Sequence, residues 1–450
     1  MLASALIWWA TSLLAPGAPT PPVQSYYVAP APRGTPSGRG TSERPWDLAT
    51  ALAGAGGRIQ PGDTVWLTQG RYPGAYATQL RGAPGRLIVF RQQRGARATI
   101  DGTLRADGAY LAFWGFEIMQ SNPVSGRYGL EARTNNGLFI NLIIHDAGTM
   151  GVSFWTPGEG AELYGCIVYN NGTHESFDHG VYVHNERGTK RLADNVIFNN
   201  LAYGIHAYAG PRNPPQRNIW IQGNIAFNNG TISRRYRAKG NILVGGEVPV
   251  SGVDVSSNYL YYSGPEGVNL RLGYARLSND DVIVRGNYLW GGETGLWFGE
   301  WRRAQVDGNT IGGVKRPIAG VLQLFERGNL VQQAGRVPST PAVFVRPNRY
   351  ERGRASIVAY NFRRSAQLKA DLRGVLNPGD AYELRSVQDV FGAPLARGTY
   401  SGDSIPLPMS DPVTVALPIG RPTAAPPITR PTFDVFLLTT PTDTRAAPSR

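Results

Sequence analysis

Five histidines make up the chain's full complement, and all of them fall between positions 145 and 206: His145, His174, His179, His184 and His206. Two lie in the stretch SFDHGVYVHN, residues 176–185, and another in YGIHAYA, residues 203–209. Tyrosines alternate with them, since Tyr182 stands two residues before His184 and Tyr208 two after His206. Imidazole titrates near neutrality and a phenol is a weak acid, so the pair suits taking a proton at one atom and giving one at another. Carboxylates lie close by in the sequence: Asp178 in the first stretch and Glu175 just before it, with Glu131, Glu247 and Glu300 further off. Two of them held apart across a bond would support glycoside hydrolysis. His174, His179, His184 and His206 with Asp178 also offer donors for Zn²⁺ or a similar ion, although their spacing matches no established ligand motif. Taken singly, each residue has a bland reading as an outward strand position or a turn hydrogen-bonder. His145 and the lone Cys166 keep that reading, His145 as an equivalent of the turn asparagines Asn170, Asn199 and Asn228.

These side chains need elements that bring them together, and the sequence repeats itself in a way that supplies them. One element recurs as NLIIHDAG, GCIVYNNG, DNVIFNNL, GNIAFNNG, SNYLYYSG, GNYLWGGE and GNTIGG, at separations of 22–34 residues. A second follows as GLEAR, GVSFW, GVYVH, GIHAY, NILVG, GVNLR and GLWFG, starting at 129, 151, 180, 204, 241, 267 and 295. Short apolar alternation bounded by Gly or Asn marks strands between turns, and two or more such strands per repeat predict a β-solenoid. Asparagines at equivalent turns would bond to one another along its axis. Asn170, Asn199 and Asn228 read as one series, and Asn195, Asn224, Asn258, Asn287 and Asn309 as another.

Alternate residues of a strand share a face. In the second element Val181/Val183 and Ile205/Ala207 read as core, which turns Tyr182/His184 and His206/Tyr208 outward. With coils about 4.8 Å apart, these four form a rectangle if 180 and 204 begin neighbouring coils. Trp155 falls on one side and Asn269 and Arg271 on the other, with Glu131, Arg133 and Trp297 further along the same face. The expected catalytic set is therefore His184, His206, Tyr182, Tyr208, His179 and Asp178. The expected substrate-binding set is Glu131, Arg133, Trp155, Asn269, Arg271 and Trp297. Aromatic faces flanked by arginines suit an acidic sugar.

The repeat, with an amphipathic segment at 46–54 that could cap its open end, resembles the right-handed parallel β-helix proteins of the pectate-lyase-like superfamily over roughly residues 25–325. The resemblance implies an all-β fold and a carbohydrate-active protein, while lyases, hydrolases, epimerases and binding proteins all share the architecture. NLAYGIHAY is similar to the active-site strand of the mannuronan C5-epimerases, with Tyr203 and Gly204 matching and Ile205-His206-Ala207-Tyr208 in place of the family's Asp-Pro-His. Polygalacturonase-type aspartate clusters and the lysine base pattern of other β-helix lyases are not identifiable.

The expected organisation is an export segment at 1–24, a linker-like stretch at 15–45, the β-helix at 25–330, a small β-sandwich at 338–412 and a Pro/Thr-rich tail at 413–450. The sandwich resembles accessory domains of bacterial carbohydrate-active proteins. The 450-residue chain has a formal net charge of +13 without basic runs and a single cysteine, so it lacks an internal disulfide. Such a surface favours a polyanion, and the absence of Lys/Arg runs argues against nucleic acid. The sequence analysis thus favours a secreted, monomeric enzyme acting on a uronate-containing polysaccharide. β-Elimination stands ahead of hydrolysis, with a non-catalytic carbohydrate-binding solenoid as the remaining reading. No cofactor is required, and Ca²⁺ is the alternative to arginine for neutralising a substrate carboxylate.

Overall fold

Each repeat contains three short parallel strands, one more than the two recurring elements. The computed structural model describes residues 22–441 apart from 175–176, 236–238, 275–276, 321–324, 333–334, 411–413 and 421–422. Most of the stretch expected to be an export segment, 1–24, and the candidate Glu175 lie outside the described residues. One complete coil runs through Lys190–Ala193, Val196–Phe198 and Ile205–Ala209. The next runs through Ile219–Gln222, Ile225–Phe227 and Ile242–Gly246, each strand in parallel register on its predecessor.

Stacking these coils builds a parallel β-helix. Its first sheet has 12 strands, and the other two faces are joined as a 19-stranded sheet. The join is the long strand Ala98–Ala106, which pairs with Glu117–Met119 at one end and Leu130–Ala132 at the other. One face of that joined sheet carries the first recurring element, and the other carries the second. Inward residues such as Leu192, Ile197, Val183 and Ile205 are fully buried in one continuous core.

The sheet begins earlier than the composition suggests. Ser25–Val28, within the linker-like stretch, is a strand pairing with Thr64–Leu67, and Trp46 behind it is buried. The amphipathic segment forms the short helix Leu48–Leu52 with Asp47 as N-cap, burying Leu48, Ala51 and Leu52 at the mouth of the first coil.

The corners explain the asparagines. Asn170, Asn199 and Asn228 hold left-handed backbones (φ 53°, 49° and 51°), a role asparagine tolerates well. They do not stack as a ladder. The ladder lies one residue later, from Asn171 through Asn200, Asn229 and Asn241 to Asn269, with Nδ2–Oδ1 distances of 2.9–3.0 Å. The second expected series does form, with Asn195, Asn224, Asn258, Asn287 and Asn309 linked in order at 2.8–3.1 Å and continuing to Asn329. Cys166 sits above it, its N–H bonded to Asn195 Oδ1, with a buried thiol pushed up to about 12 by desolvation.

The chain then folds back. Strands Ala342–Pro347, Ala355–Tyr360, Ala381–Ser386, Ala396–Thr399 and Phe433–Thr439 form a five-stranded antiparallel sheet, and Gln367–Ala370 with Ile405–Pro408 covers one of its faces. Phe433–Thr439, read as a possible strand in the tail, is the central strand of this sheet. The domain therefore does not close at 412. Its other face packs on the first-element face of the solenoid, where Tyr169, Phe198, Phe227 and Tyr261 meet Tyr360, Phe433 and Val435.

Candidate functional site

The second-element face is not covered by the C-terminal domain, and along it the register places one outward-pointing residue per coil, of which His206 and Leu243 are buried by their neighbours. In order these are Arg105, Glu131, Ser153, Tyr182, His206, Leu243, Arg271 and Trp297. The glycines that begin the strands are required by the ladder beside them. A Cβ on Gly180 would lie 2.7 Å from Asn200 Nδ2, and one on Gly204 would lie 2.6 Å from Asn229 Nδ2.

Tyr182 and His206 pair directly on adjacent strands, with ring centroids 5.4 Å apart. Trp155 stacks on Tyr182 at 5.0 Å, and Tyr208 stacks on His206 at 5.0 Å. The residues just before the strand glycines lean over the same spot, His179 at 4.0 Å from His206 and Tyr203 at 4.8 Å. This makes a continuous aromatic surface with two imidazoles at its centre.

Both imidazoles are neutral near pH 7. Burial, with help from Lys239 and Arg271, pulls His206 down to about 3. Burial, then the neighbouring His206 and Lys239, holds His179 well below its ordinary value. The Tyr203 amide donates to His179 Nδ1 at 3.2 Å, which assigns the neutral ring's proton to Nε2. Nδ1 of His206 is buried without a hydrogen-bond partner among the described residues. Tyr182 is pushed up to about 12 by burial and keeps its proton. Tyr208 is raised by burial and then by Glu247, to whose Oε1 it donates at 2.6 Å.

Arg271 supplies positive charge two strands along from His206. Its guanidinium lies 4.5 Å from the Trp297 ring centroid and 4.9 Å from that of Tyr274. Its Nε is buried without a hydrogen-bond partner, and it has no ion pair among the described residues. Arg133 differs, because Asp107 Oδ1 accepts from its Nε at 2.8 Å and the Thr156 carbonyl from Nη1 at 3.2 Å. Glu131 is half-buried on the open row.

Three of the expected residues are turned away. His184 is 1% exposed, donates from Nε2 to the Pro214 carbonyl at 3.1 Å, and serves as a support for Trp155 at 4.5 Å. Asp178 is buried, its Oδ2 accepting the Thr173 and His174 amides at 2.7 and 2.5 Å, so it ties the loop. Asn269 is buried in the asparagine ladder. The strand Val268–Leu272 pairs with Leu270 opposite Ile242, two residues later than the sequence alignment placed it. That slip preserves side-chain parity, so Arg271 still faces outward.

His174 stacks on Phe177 in its loop rather than joining the other histidines. His145 is on the covered face, opposite Tyr169 rather than at the asparagine corner, bonded to Asp146 and Glu117. Among the described residues no three His, Cys, Asp or Glu side chains converge on a point where an ion could sit. The four histidines named for a zinc site are therefore not gathered into one, with His174 in its loop and His184 turned to the Pro214 carbonyl.

Lys239 and Tyr274 were not foreseen from the sequence, and Tyr203, matched there to an active-site strand, was left out of the expected site. For Tyr203 the signal was available, since it precedes Gly204 as His179 precedes Gly180. Lys190 was also missed. It is fully buried beneath the groove strands and donates from Nζ to the carbonyls of Phe154, Trp155 and His184 at 3.1, 2.7 and 2.9 Å. Burial draws it down to about 7. Three carbonyl acceptors require three N–H donors, however, which only the ammonium form has, so we regard it as charged in the neutral range.

A family model described as the right-handed beta helix region matches residues 97–248. Among solved structures, pectate lyase Pel9A is 17% identical, with 68% of this chain and 79% of that chain covered at a TM-score of 0.52. A rhamnogalacturonan lyase is 14% identical, with 69% and 87% covered at a TM-score of 0.48. An alginate lyase from Paenibacillus sp. str. FPU-7 is 15% identical, with 69% and 99% covered at a TM-score of 0.45. No curated protein sequence matches the chain. At these identities the similarity is one of fold, and the fold is the right-handed parallel β-helix.

Proposed function

We propose that the protein is an exported carbohydrate-active enzyme that cleaves a uronate-containing polysaccharide by β-elimination along the open face. One juxtaposition carries the reading: neutral imidazoles and an un-ionised phenol on an aromatic floor, with a guanidinium on the same row that has no carboxylate partner among the described residues. β-Elimination needs these parts. Arg271 pairs with the uronate carboxylate, which makes the C5 proton easier to remove. His206 is unprotonated at neutral pH and accepts that proton once the bound uronate carboxylate offsets Lys239 and Arg271, which with burial hold the ring uncharged in the free protein. Tyr182 retains its own proton and can give it to the departing glycosidic oxygen. Trp155 and Trp297 present ring faces to the apolar sides of flanking sugars. The architecture shared with pectate lyase Pel9A is compatible with this chemistry but does not select the substrate.

The test is incubation with polymers of galacturonate, mannuronate, guluronate and glucuronate, each with and without a chelator. A lyase raises near-ultraviolet absorbance as unsaturated ends form. His206→Ala is expected to lower kcat roughly 10²–10⁴-fold with substrate binding retained. Arg271→Ala is expected to raise KM for the charged polymer and lower kcat as well. New reducing ends without absorbance would replace the proposal with hydrolysis. Binding with no turnover on any polymer would leave a binding solenoid. Activity lost to the chelator would place a metal where the proposal uses Arg271.

A further inference from the structure

A second cleft lies away from the groove, where the first sheet meets the C-terminal domain. Its volume is about 420 Å³, and both domains build it: the strand end and turn at Arg91–Gly95, Trp114, the turn at Tyr350–Arg354, and Thr439. Four arginines face it, Arg91, Arg94, Arg352 and Arg354, against one carboxylate, Glu351. That carboxylate is already shared. It accepts from Trp114 Nε1 at 2.6 Å, lies 3.4 Å from Arg91 and is 3.7 Å from Arg354. Arg94 and Arg352 are exposed at the rim and have no ion pair among the described residues.

The cleft is also rigid. Arg91 lies flat on Trp114, 3.8 Å from its ring centroid. Asn348 fixes the turn by accepting the Tyr350 and Glu351 amides at 3.0 and 2.9 Å, and it exchanges amide bonds with Asn141 of the solenoid. A preformed cleft of this volume, walled by Trp114 and Tyr350 and carrying an excess of guanidinium groups, has room for a sugar ring and charge for its acid group. A small inorganic ion would fill little of it.

We propose that this cleft is a second binding site, separate from the groove, that holds a carboxylated sugar unit of an acidic polysaccharide. The choice of ligand class rests on the function proposed above for the groove. An anchor there would keep a polymer on the protein between encounters with the groove.

Hydrogen exchange of the full chain, followed by mass spectrometry, tests this with hexasaccharides of galacturonate, mannuronate and glucuronate, a neutral glucose hexasaccharide, and inorganic sulfate. At least one uronate should slow exchange at 88–95 and 348–354, while the neutral sugar should not. The variant Arg94→Ala/Arg352→Ala alters two exposed side chains. It should weaken that protection about tenfold in ligand concentration while leaving any protection at 181–183 and 205–209 unchanged. Protection of the cleft without the groove would support this site while removing support for the groove. Protection of the groove alone, equal protection by the neutral sugar, or equal protection by sulfate would overturn the inference.

Discussion

His184 and His206 occupy alternate outward positions on neighbouring strands, but only one of them meets the open row. His184→Ala removes the support beneath Trp155 and a bond to the Pro214 carbonyl. It should lower the unfolding midpoint by the equivalent of about 1–3 kcal/mol, with kcat of the folded protein largely kept. His206→Ala should do the reverse, and thermal melts beside initial rates separate the two. Protonation gives a second test. An unfolded histidine titrates near 6.5, whereas folded His206 stays neutral down to about 3. Above pH 6.5 both states are neutral and the group contributes nothing. Between 6.5 and 3 the unfolded chain takes up a proton that the folded chain refuses, so stability falls as pH falls, by up to about 1.4 kcal/mol per pH unit for that residue. His179 acts in the same sense. Denaturant midpoints measured from pH 7 to 4 should show the loss, and His206→Gln should shallow it. Period-two parity made the pairing of Tyr182 with His206 legible in the sequence. The burial of His184 was not, because the carbonyl that holds it lies thirty residues away in a loop.

At the scale of the elements, the asparagines divide into two kinds that composition cannot tell apart. Asn224 donates to the Leu192 carbonyl and to Asn258 while accepting from Asn195, all in the buried interior. Asn224→Ala should cost about 2–4 kcal/mol in denaturant unfolding, because ladder neighbours on both sides are left unsatisfied. Asn199 holds a left-handed corner, and its side-chain amide has no partner among the described residues. Asn199→Gly should therefore be neutral within about 0.5 kcal/mol, since glycine adopts that backbone without strain. The repeat itself was plain in the sequence, as were the strand glycines, since the pattern is local. Which asparagine of each NN pair stacks depends on the left-handed backbone of the first, and that is settled only when coils lie on one another. The first sheet was missed as a recurring element because its strands, such as KRLA and NIWIQ, share no common motif.

Across the whole molecule, the three faces of the solenoid divide the work. One carries the proposed groove, one is covered, and one borders the second cleft. The covered face shows its role in side chains that point outward yet are apolar, as in Tyr169, Phe198 and Phe227. Outward aromatic residues on successive coils signal a docked partner, and that signal was present in IVYNN, VIFNN and IAFNN. Phe227→Asp should detach the C-terminal domain and expose this surface, seen as increased binding of a hydrophobic dye and slower migration on size exclusion, with the solenoid's circular dichroism kept. Two polar clusters lock the same interface. Arg97 spans Glu117 and the Phe391 ring, with His145 bonded to the same carboxylate, and Arg346 reaches Asp194. Beyond these contacts, the central strand Phe433–Thr439 sets an order of events during synthesis. Every strand of the solenoid emerges before this one does, so the apolar face stays incompletely covered until it is made. A holding chaperone would serve that interval, and a chain stalled before residue 433 should partition to the insoluble fraction of its host.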